Sequence, residues 1–182
     1  MRNQKLNKNE VFLGKAWTSY NNEEIFKSIK NSLNNNPPTF HLHLLDVNKD
    51  ISNEYYLMMF YLIKSRNAQT RFHLHIHSTI YNSALLFMLI ADDLYIRPFA
   101  SLYFEDPDTY QSIDLECQED RSKTGPTPSD DVYNHLNAIR IASEYLPIKQ
   151  FYGRRVSLDE VSEYLLKDSD LDFTNDIIPS NI

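Results

Sequence analysis

The sequence predicts an α/β fold with a largely parallel β-sheet, carried by one domain over residues 10–178. Strand-like and helix-like segments alternate along residues 10–104, in the order strand, helix, strand, helix, strand, helix, strand. Parallel strands need long crossover connections, which helices usually supply with a right-handed turn. A chain of 182 residues can also bury a core of its own. The polar residues 1–9 are expected to form a mobile arm ahead of this domain.

The composition narrows the class of protein. Hydrophobic residues make up 42% and charged residues 24% of the chain, as in ordinary soluble globular proteins. The formal net charge of -7 argues against a duplex nucleic-acid partner, because phosphate binding needs a basic surface. Only three glycines occur, which excludes a phosphate-binding glycine-rich loop and a dinucleotide fingerprint. We therefore expect no cofactor and no nucleic-acid partner.

Two further observations bear on location. No apolar run is long enough to span a membrane, and no signal peptide is recognisable. The single cysteine, Cys117, cannot form an internal disulfide, which favours a reducing compartment. The sequence therefore predicts a cytoplasmic protein without a membrane partner.

The first three strands are predicted from short runs of bulky residues. They fall at residues 10–15, 39–45 and 71–79. The third run alternates in character with the period of two that is typical of a strand.

Two helices are predicted between these strands. The first has an apolar stripe that repeats every four residues, formed by Ile25, Ile29 and Leu33. The second should be capped by Ser52 or Asn53. Its residues 55–63 are all apolar or aromatic, so we expect it to be covered on most sides.

A third helix and two short strands should follow. Residues 83–91 (SALLFMLIA) are almost wholly apolar but too few to span a bilayer, which predicts a helix buried in the protein. Residues 94–96 and 102–104 are bulky and bounded by prolines, which suits two further strands.

The remaining chain predicts an irregular segment and two helices. Residues 108–129 are polar, contain glycine and prolines, and form an expected extension from the core at residues 10–107. A long helix is predicted over residues 130–152, with Pro147 kinking or shortening it. One face of it should carry Val132, Leu136, Ile139 and Leu146. Ser157 should open a terminal helix over residues 157–167 through a capping box.

Ser83 is the candidate nucleophile because of its position between a strand and a helix. A helix N-terminus offers N–H groups without helical partners and a partial positive charge, which suit a developing oxyanion. The same position is also an ordinary one for a helix-capping serine. Both interpretations of Ser83 stand on the residues alone.

The serine segment resembles the proteolytic subunit of the Clp protease, a self-compartmentalising serine peptidase. Asn82-Ser83-Ala84 and the apolar helix after it are similar to the family's serine motif, and Phe104-Glu105-Asp106-Pro107 falls on its histidine motif. The resemblance implies a Clp/crotonase-like spiral of strand–helix units with a protruding C-terminal helical arm. Residues 130–152 would be the family's handle helix.

The resemblance also implies a modified catalytic triad. Ser83 takes the nucleophile position, Glu105 takes that of the histidine, and Asp172 takes that of the aspartate. A carboxylate is a weaker base than imidazole, and next to Asp172 it would be repelled rather than oriented. For the oxyanion hole, Ala84 can supply one N–H, but Lys49 and Asp50 stand where the family has glycines.

These substitutions predict a Clp-like subunit without peptidase activity. It would act by assembly, as a homo-oligomeric ring or in a hetero-oligomer with an active Clp-type peptidase, and an AAA+ ATPase is a possible further partner. One alternative is an active serine endopeptidase with a rebuilt triad, in which His75 or His77 would serve Ser83 as base. Another is an acyl-CoA-binding protein of crotonase type.

Five of the six histidines lie on two predicted strands at two-residue spacing: His41, His43, His73, His75 and His77. If the two strands are neighbours, the five imidazoles fall on one side of the sheet. Imidazole is a common zinc ligand, but the compact ligand spacings of structural zinc sites are absent. The expectation is therefore a half-buried polar face without metal, with a metal cluster as its alternative.

Overall fold

The computed structural model describes residues 9–14, 21–45, 51–108 and 130–165. These residues contain seven strands, which are β1 Glu10–Leu13, β2 Thr39–Leu44, β3 Arg71–Ile76, β4 Ile80–Tyr81, β5 Asp93–Ile96, β6 Ser101–Tyr103 and β7 Arg155–Ser157. The α-helices in the same residues are α1 Asn22–Asn34, α2 Asn53–Lys64, α3 Asp130–Ala142 and α4 Leu158–Leu165. The described residues also contain two 3₁₀ helices, the serine helix Asn82–Ile90 and a shorter one at Ile148–Phe151.

The strands form two sheets. The larger sheet has the order β1-β2-β3-β5 and is parallel throughout. The smaller sheet has the order β4-β6-β7, with β4 parallel to β6 and β7 antiparallel to it. The predicted α/β class with a largely parallel sheet is confirmed. The second sheet is a feature that the sequence pattern did not predict.

The core lies on one face of the larger sheet. Alternate residues of β2 and β3 point into it and are fully buried: Phe40, Leu42, Leu44, Phe72, Leu74 and Ile76. The other face of the same two strands carries the histidines, which are half-buried. The two-residue period of a strand thus separates an apolar face from an imidazole face.

Helix α2 is less covered than its composition predicts. Tyr56, Met59 and Phe60 are buried, but Met58 is 43% and Tyr61 49% exposed. Successive helical residues point about 100° apart, so nine apolar residues in a row must include some that face away from the core. The predicted cap is found, since the Ser52 side chain accepts a hydrogen bond from the backbone N–H of Glu54.

The serine helix is buried as predicted, but in 3₁₀ rather than α geometry. All residues from Asn82 to Met88 are buried. Asn82, its first residue, has a φ of +43°, in the left-handed region that asparagine tolerates better than most residues. The serine helix contacts α2, α3 and β4. Ser83 is thereby placed at the junction of both sheets and two helices.

The long helix predicted over residues 130–152 is divided. Helix α3 ends at Ala142, a turn follows, and the chain resumes as a short 3₁₀ helix after Pro147. Proline has no backbone N–H and disfavours helical geometry in the residue before it, which accounts for the break. The described part of α3 packs along the core against α2 and the serine helix.

The apolar face predicted for the long helix is found with one exception. Val132 and Leu146 are buried and Ile139 is partly buried against the core, but Leu136 is 41% exposed. His135 and Ala138 are also buried on this helix. The terminal helix begins as predicted, because the Ser157 hydroxyl accepts a hydrogen bond from the backbone N–H of Glu160. In the part of the chain that the structure describes, no helix is long and apolar enough to cross a membrane.

Candidate functional site

Ser83 lies at the start of the serine helix and is completely buried. Its hydroxyl donates a hydrogen bond of 2.5 Å to the side-chain carbonyl oxygen of Asn53, at the N-terminus of α2. An amide oxygen accepts a hydrogen bond but does not remove a proton at neutral pH. The Ser83 hydroxyl is therefore held by a neutral acceptor.

Asp131, in the first turn of α3, completes this network. Its Oδ1 accepts hydrogen bonds from the Asn53 backbone N–H at 2.7 Å and from the Ser52 hydroxyl at 2.6 Å. Its Oδ2 accepts from the Asn53 side-chain amide at 3.1 Å. A carboxylate at a helix N-terminus is stabilised by the N–H groups that end there. Asn53 is thus fixed on one side by Asp131 and holds Ser83 on the other.

Glu105 lies close to Ser83 in the fold but is bonded to the neighbouring residue. The Asn82 side chain donates to Glu105 Oε2 at 3.0 Å and accepts from the Glu105 backbone N–H at 2.9 Å. These two hydrogen bonds hold the Asn82 side chain against Glu105, just after the end of β6. They accompany the left-handed backbone conformation of Asn82. The Glu105 carboxylate, which the resemblance places at the position of the family's histidine, is therefore engaged with an amide.

The other predicted site residues are only partly described. Ala84 follows Ser83 in the serine helix and is completely buried. Lys49, Asp50 and Asp172 lie outside the described residues. The structure thus brings Ser83, Ala84 and Glu105 into one region, and the expected roles of all six residues stay predictions.

His135 is a residue of this region that the sequence analysis did not single out. It is completely buried on α3, and its ring stacks on Phe104 with the centroids 5.3 Å apart. Burial lowers its pKa, while its interaction with the Glu105 backbone and the carboxylates of Glu105 and Asp131 act in the opposite direction. The available signal was its spacing of three residues from both Val132 and Ala138, which places it on the buried face.

A cavity of about 340 Å³ opens beside Glu105 and is lined by Tyr81, Tyr103, Glu105 and Arg155. One wall is aromatic, and the other offers a carboxylate and a guanidinium. The two tyrosine rings contact each other edge to face, with centroids 6.3 Å apart, so a small polar group would bind beside them rather than between them. Ser83 is not among the lining residues, so this cavity does not give access to the serine hydroxyl.

The histidine face is the second candidate site. Strands β2 and β3 pair in parallel with His41 opposite His73 and His43 opposite His75. His41 Nδ1 lies 3.0 Å from His75 Nε2, and His43 Nδ1 lies 3.3 Å from His77 Nε2. The neighbouring strands, which the prediction of a shared face required, are therefore present.

Four of the imidazoles on this face, those of His41, His43, His75 and His77, have lowered pKa values, which favours their neutral form. Burial, followed by the neighbouring histidines, lowers the pKa of His43 to about 4 and that of His75 to about 3. Burial also lowers the pKa of His41 and of His77. Neutral rings have one nitrogen that donates and one that accepts, so adjacent rings can bond to one another. Neither His75 nor His77 is the partner of Ser83, whose hydroxyl bonds to Asn53.

Comparison with known proteins identifies the fold. No protein-family model and no curated protein matches the chain. Among solved structures, the chain is similar to a point mutant of ClpP1 from Listeria monocytogenes, with a TM-score of 0.59 and 12% identity over 93% of this chain and 94% of the other. It is also similar to ClpP1 of the same organism, with a TM-score of 0.52 and 8% identity over the same shares.

The fold is therefore of the Clp/crotonase type. Within that class it is ClpP-like, since both structures are of ClpP1 and each covers 93% of the chain. The fold predicted from the serine segment is confirmed. At 12% and 8% identity the likeness extends to the fold alone.

Proposed function

We propose that this ClpP-like protein has no peptidase activity and acts in the cytoplasm by assembly with other subunits. The partner is a second copy of the chain, an active Clp-type peptidase, or the ATPase of such a system. A fold can persist after the chemistry that it once carried is lost. The proposal has two parts, one about the serine and one about assembly.

The environment of the Ser83 hydroxyl supports the first part of the proposal, the absence of peptidase activity. A serine nucleophile needs a base within hydrogen-bond reach and an approach path for the substrate. Here the side chain is completely buried and donates to the amide oxygen of Asn53. That amide is itself fixed by the carboxylate of Asp131. Attack on a peptide would require this network to open before any chemistry could begin.

A fluorophosphonate probe tests the first part directly. The purified chain is expected to remain unlabelled and to leave a fluorogenic peptide intact, with Ser83→Ala indistinguishable from wild type. An active serine peptidase treated in parallel controls for the quality of the probe. Labelling of wild type that is lost in Ser83→Ala would contradict the proposal.

The assembly part is supported by the fold and by exposed apolar side chains on α3. Tyr133 is 58% and Leu136 41% exposed on α3, which the resemblance assigns to the family's handle helix. Aromatic side chains are enriched in subunit contacts. Light scattering coupled to size exclusion is expected to give a mass of several chains. Native mass spectrometry after mixing with an active Clp peptidase would then detect mixed particles.

His135 favours one second candidate, an active endopeptidase with a rebuilt site. This histidine interacts with the backbone of Glu105 and is near Asp131, whose carboxylate fixes the partner of Ser83. A rearrangement that turned the imidazole towards Ser83 would assemble a nucleophile, a base and a carboxylate. In that case Ser83→Ala and His135→Gln should abolish peptide cleavage to the same extent, whereas His75→Gln should leave it unchanged.

A further inference from the structure

Three histidines on the outer face of the larger sheet bring one ligand atom each into a single small volume. These are His41, His43 and His75, whose ligand atoms all lie within 4.8 Å of one another. The arrangement follows from the pairing of the strands. His43 and His75 are direct partners in the parallel register, and His41 lies two residues before His43 on the same face.

The spacing between ring nitrogens matches the demands of a metal ion. Zinc binds imidazole at about 2.0–2.1 Å, so two nitrogens at tetrahedral angles lie about 3.3 Å apart. His41 Nδ1 and His75 Nε2 are already 3.0 Å apart. A metal could therefore replace the proton that these two nitrogens share, with little movement of the strands.

His43 supplies an independent observation. Its Nε2 is buried and has no hydrogen-bond partner among the described residues. When Nδ1 carries the proton and donates to His77 Nε2 at 3.3 Å, the lone pair of Nε2 has nothing to accept. A buried acceptor without a partner is unfavourable, and a cation would satisfy it.

Ring orientation is the remaining condition. The rings of His43 and His75 are stacked, with centroids 4.1 Å apart and planes at 10°. A metal must lie near the plane of each ring that binds it, so at least one ring has to turn. The outer torsion of histidine is broad, and such a turn needs no change in the backbone.

The geometry points to a transition-metal site at His41, His43 and His75, suited best to Zn²⁺. Three neutral nitrogen donors without a carboxylate favour a borderline metal over calcium or magnesium, which prefer oxygen ligands. Three protein ligands also leave one tetrahedral position for water or an added ligand. The site lies on the opposite face of the sheet from the core and does not depend on the proposed function.

His73 is the matched control. It lies on the same strand and face as His75, but its Nε2 is 3.2 Å from the Asp93 carboxylate and its Nδ1 is 3.3 Å from the Tyr95 hydroxyl. The contact with Asp93 is at ion-pair distance without forming a hydrogen bond. His73 differs from the three proposed ligands because it is not among the histidines whose ligand atoms converge, and because a carboxylate lies beside its ring. Replacing it changes the histidine content of the face by the same amount as replacing His75.

Calorimetric titration of the untagged, full-length chain with ZnCl₂ after chelator treatment tests the site. One zinc ion per chain is expected to bind. When Co²⁺ is added in place of zinc, its complex should show the visible absorption of a tetrahedral ion. His75→Gln should raise the dissociation constant for zinc more than tenfold. Loss of even an outer-sphere partner of a metal ligand lowers metal affinity about 10–100-fold. His73→Gln should bind as wild type does.

Two results would overturn the site. One is the absence of binding tighter than about 100 μM in wild type. The other is an equal loss of affinity in His73→Gln and His75→Gln, which would indicate diffuse binding by the whole face. Circular dichroism checks that each variant is folded. If His75→Gln does not fold, His41→Gln takes its place in the comparison.

Discussion

At the scale of single residues, the candidate serine site is defined by amides rather than by an imidazole. Asn53 accepts from Ser83, and Asn82 exchanges two hydrogen bonds with Glu105. Ser83 and Glu105 could be selected from the sequence because a motif surrounds each of them. The two asparagines could not, because their roles depend on contacts between residues more than twenty positions apart.

Ser83→Ala is expected to lower the free energy of unfolding by about 1–3 kcal/mol, because it removes a hydrogen bond in a site that water does not reach. Urea denaturation followed by circular dichroism measures the change. Ser143→Ala is the control, since that serine is exposed and its hydroxyl donates to the Ile139 carbonyl within one helical turn. Its effect should stay within about 0.5 kcal/mol. Equal losses in the two variants would contradict a stabilising role for Ser83.

His135 should make stability depend on pH. Burial lowers its pKa in the folded state, whereas in the unfolded chain the imidazole titrates near 6.5. Below about pH 6.5 the unfolded state therefore binds a proton that the folded state does not, and stability falls as pH falls. One such proton contributes at most about 1.4 kcal/mol per pH unit.

The His135→Gln variant isolates this contribution from those of the other histidines. Urea denaturation between about pH 7.5 and 5.5 should give a shallower decline in the variant than in wild type. The comparison uses the slope, so a uniform loss of stability in the variant does not disturb it. Parallel curves would show that His135 keeps an ordinary pKa in the folded protein.

At the scale of elements, Asp131 joins α3 to the N-terminus of α2. Its carboxylate accepts from the backbone of Asn53 and from two side chains there, so that it caps a helix other than its own. Sequence reasoning predicted the start of both helices and the Ser52 cap. It could not predict this bond between helices, because Asn53 and Asp131 are 78 positions apart and a contact at that separation leaves no local pattern in the sequence.

Asp131→Ala should reduce the free energy of unfolding by about 1.5–3 kcal/mol, the range for hydrogen bonds to a charged group. Asp130→Ala is a close control, because Asp130 is the preceding residue of α3 and is exposed. It should change stability by less than about 0.5 kcal/mol. Chemical denaturation of both variants under one set of conditions provides the comparison, and similar values would argue against the connection between helices.

At the scale of the whole molecule, the order of elements was predictable and the second sheet was not. The parallel sheet follows from the alternation of strand and helix patterns. Strand β7 has three residues and pairs with β6, more than fifty positions earlier. So short a segment gives no periodic signal, and its pairing is decided by tertiary contacts.

Assembly should depend on the exposed face of α3. Tyr133→Glu with Leu136→Glu is expected to lower the particle mass measured by light scattering, because charged side chains are disfavoured at the centre of an interface. Both side chains are exposed in the single chain, so the melting temperature should change little. Met58→Glu, an exposed position on α2, is the control and should leave the mass unchanged. A wild-type mass equal to one chain would contradict assembly itself.

The histidine face affects the register in which β3 pairs with β2 in the larger sheet. If β3 slipped by one residue against β2, its alternation would turn His73, His75 and His77 inward and expel Phe72, Leu74 and Ile76. The three imidazoles would then be buried without hydrogen-bond partners, and the three large apolar side chains would be exposed to water. Both changes are unfavourable. The histidines thus help to specify the register of β3 against β2, because a shifted register is energetically unfavourable. Strands that are apolar on both faces would not have this discrimination.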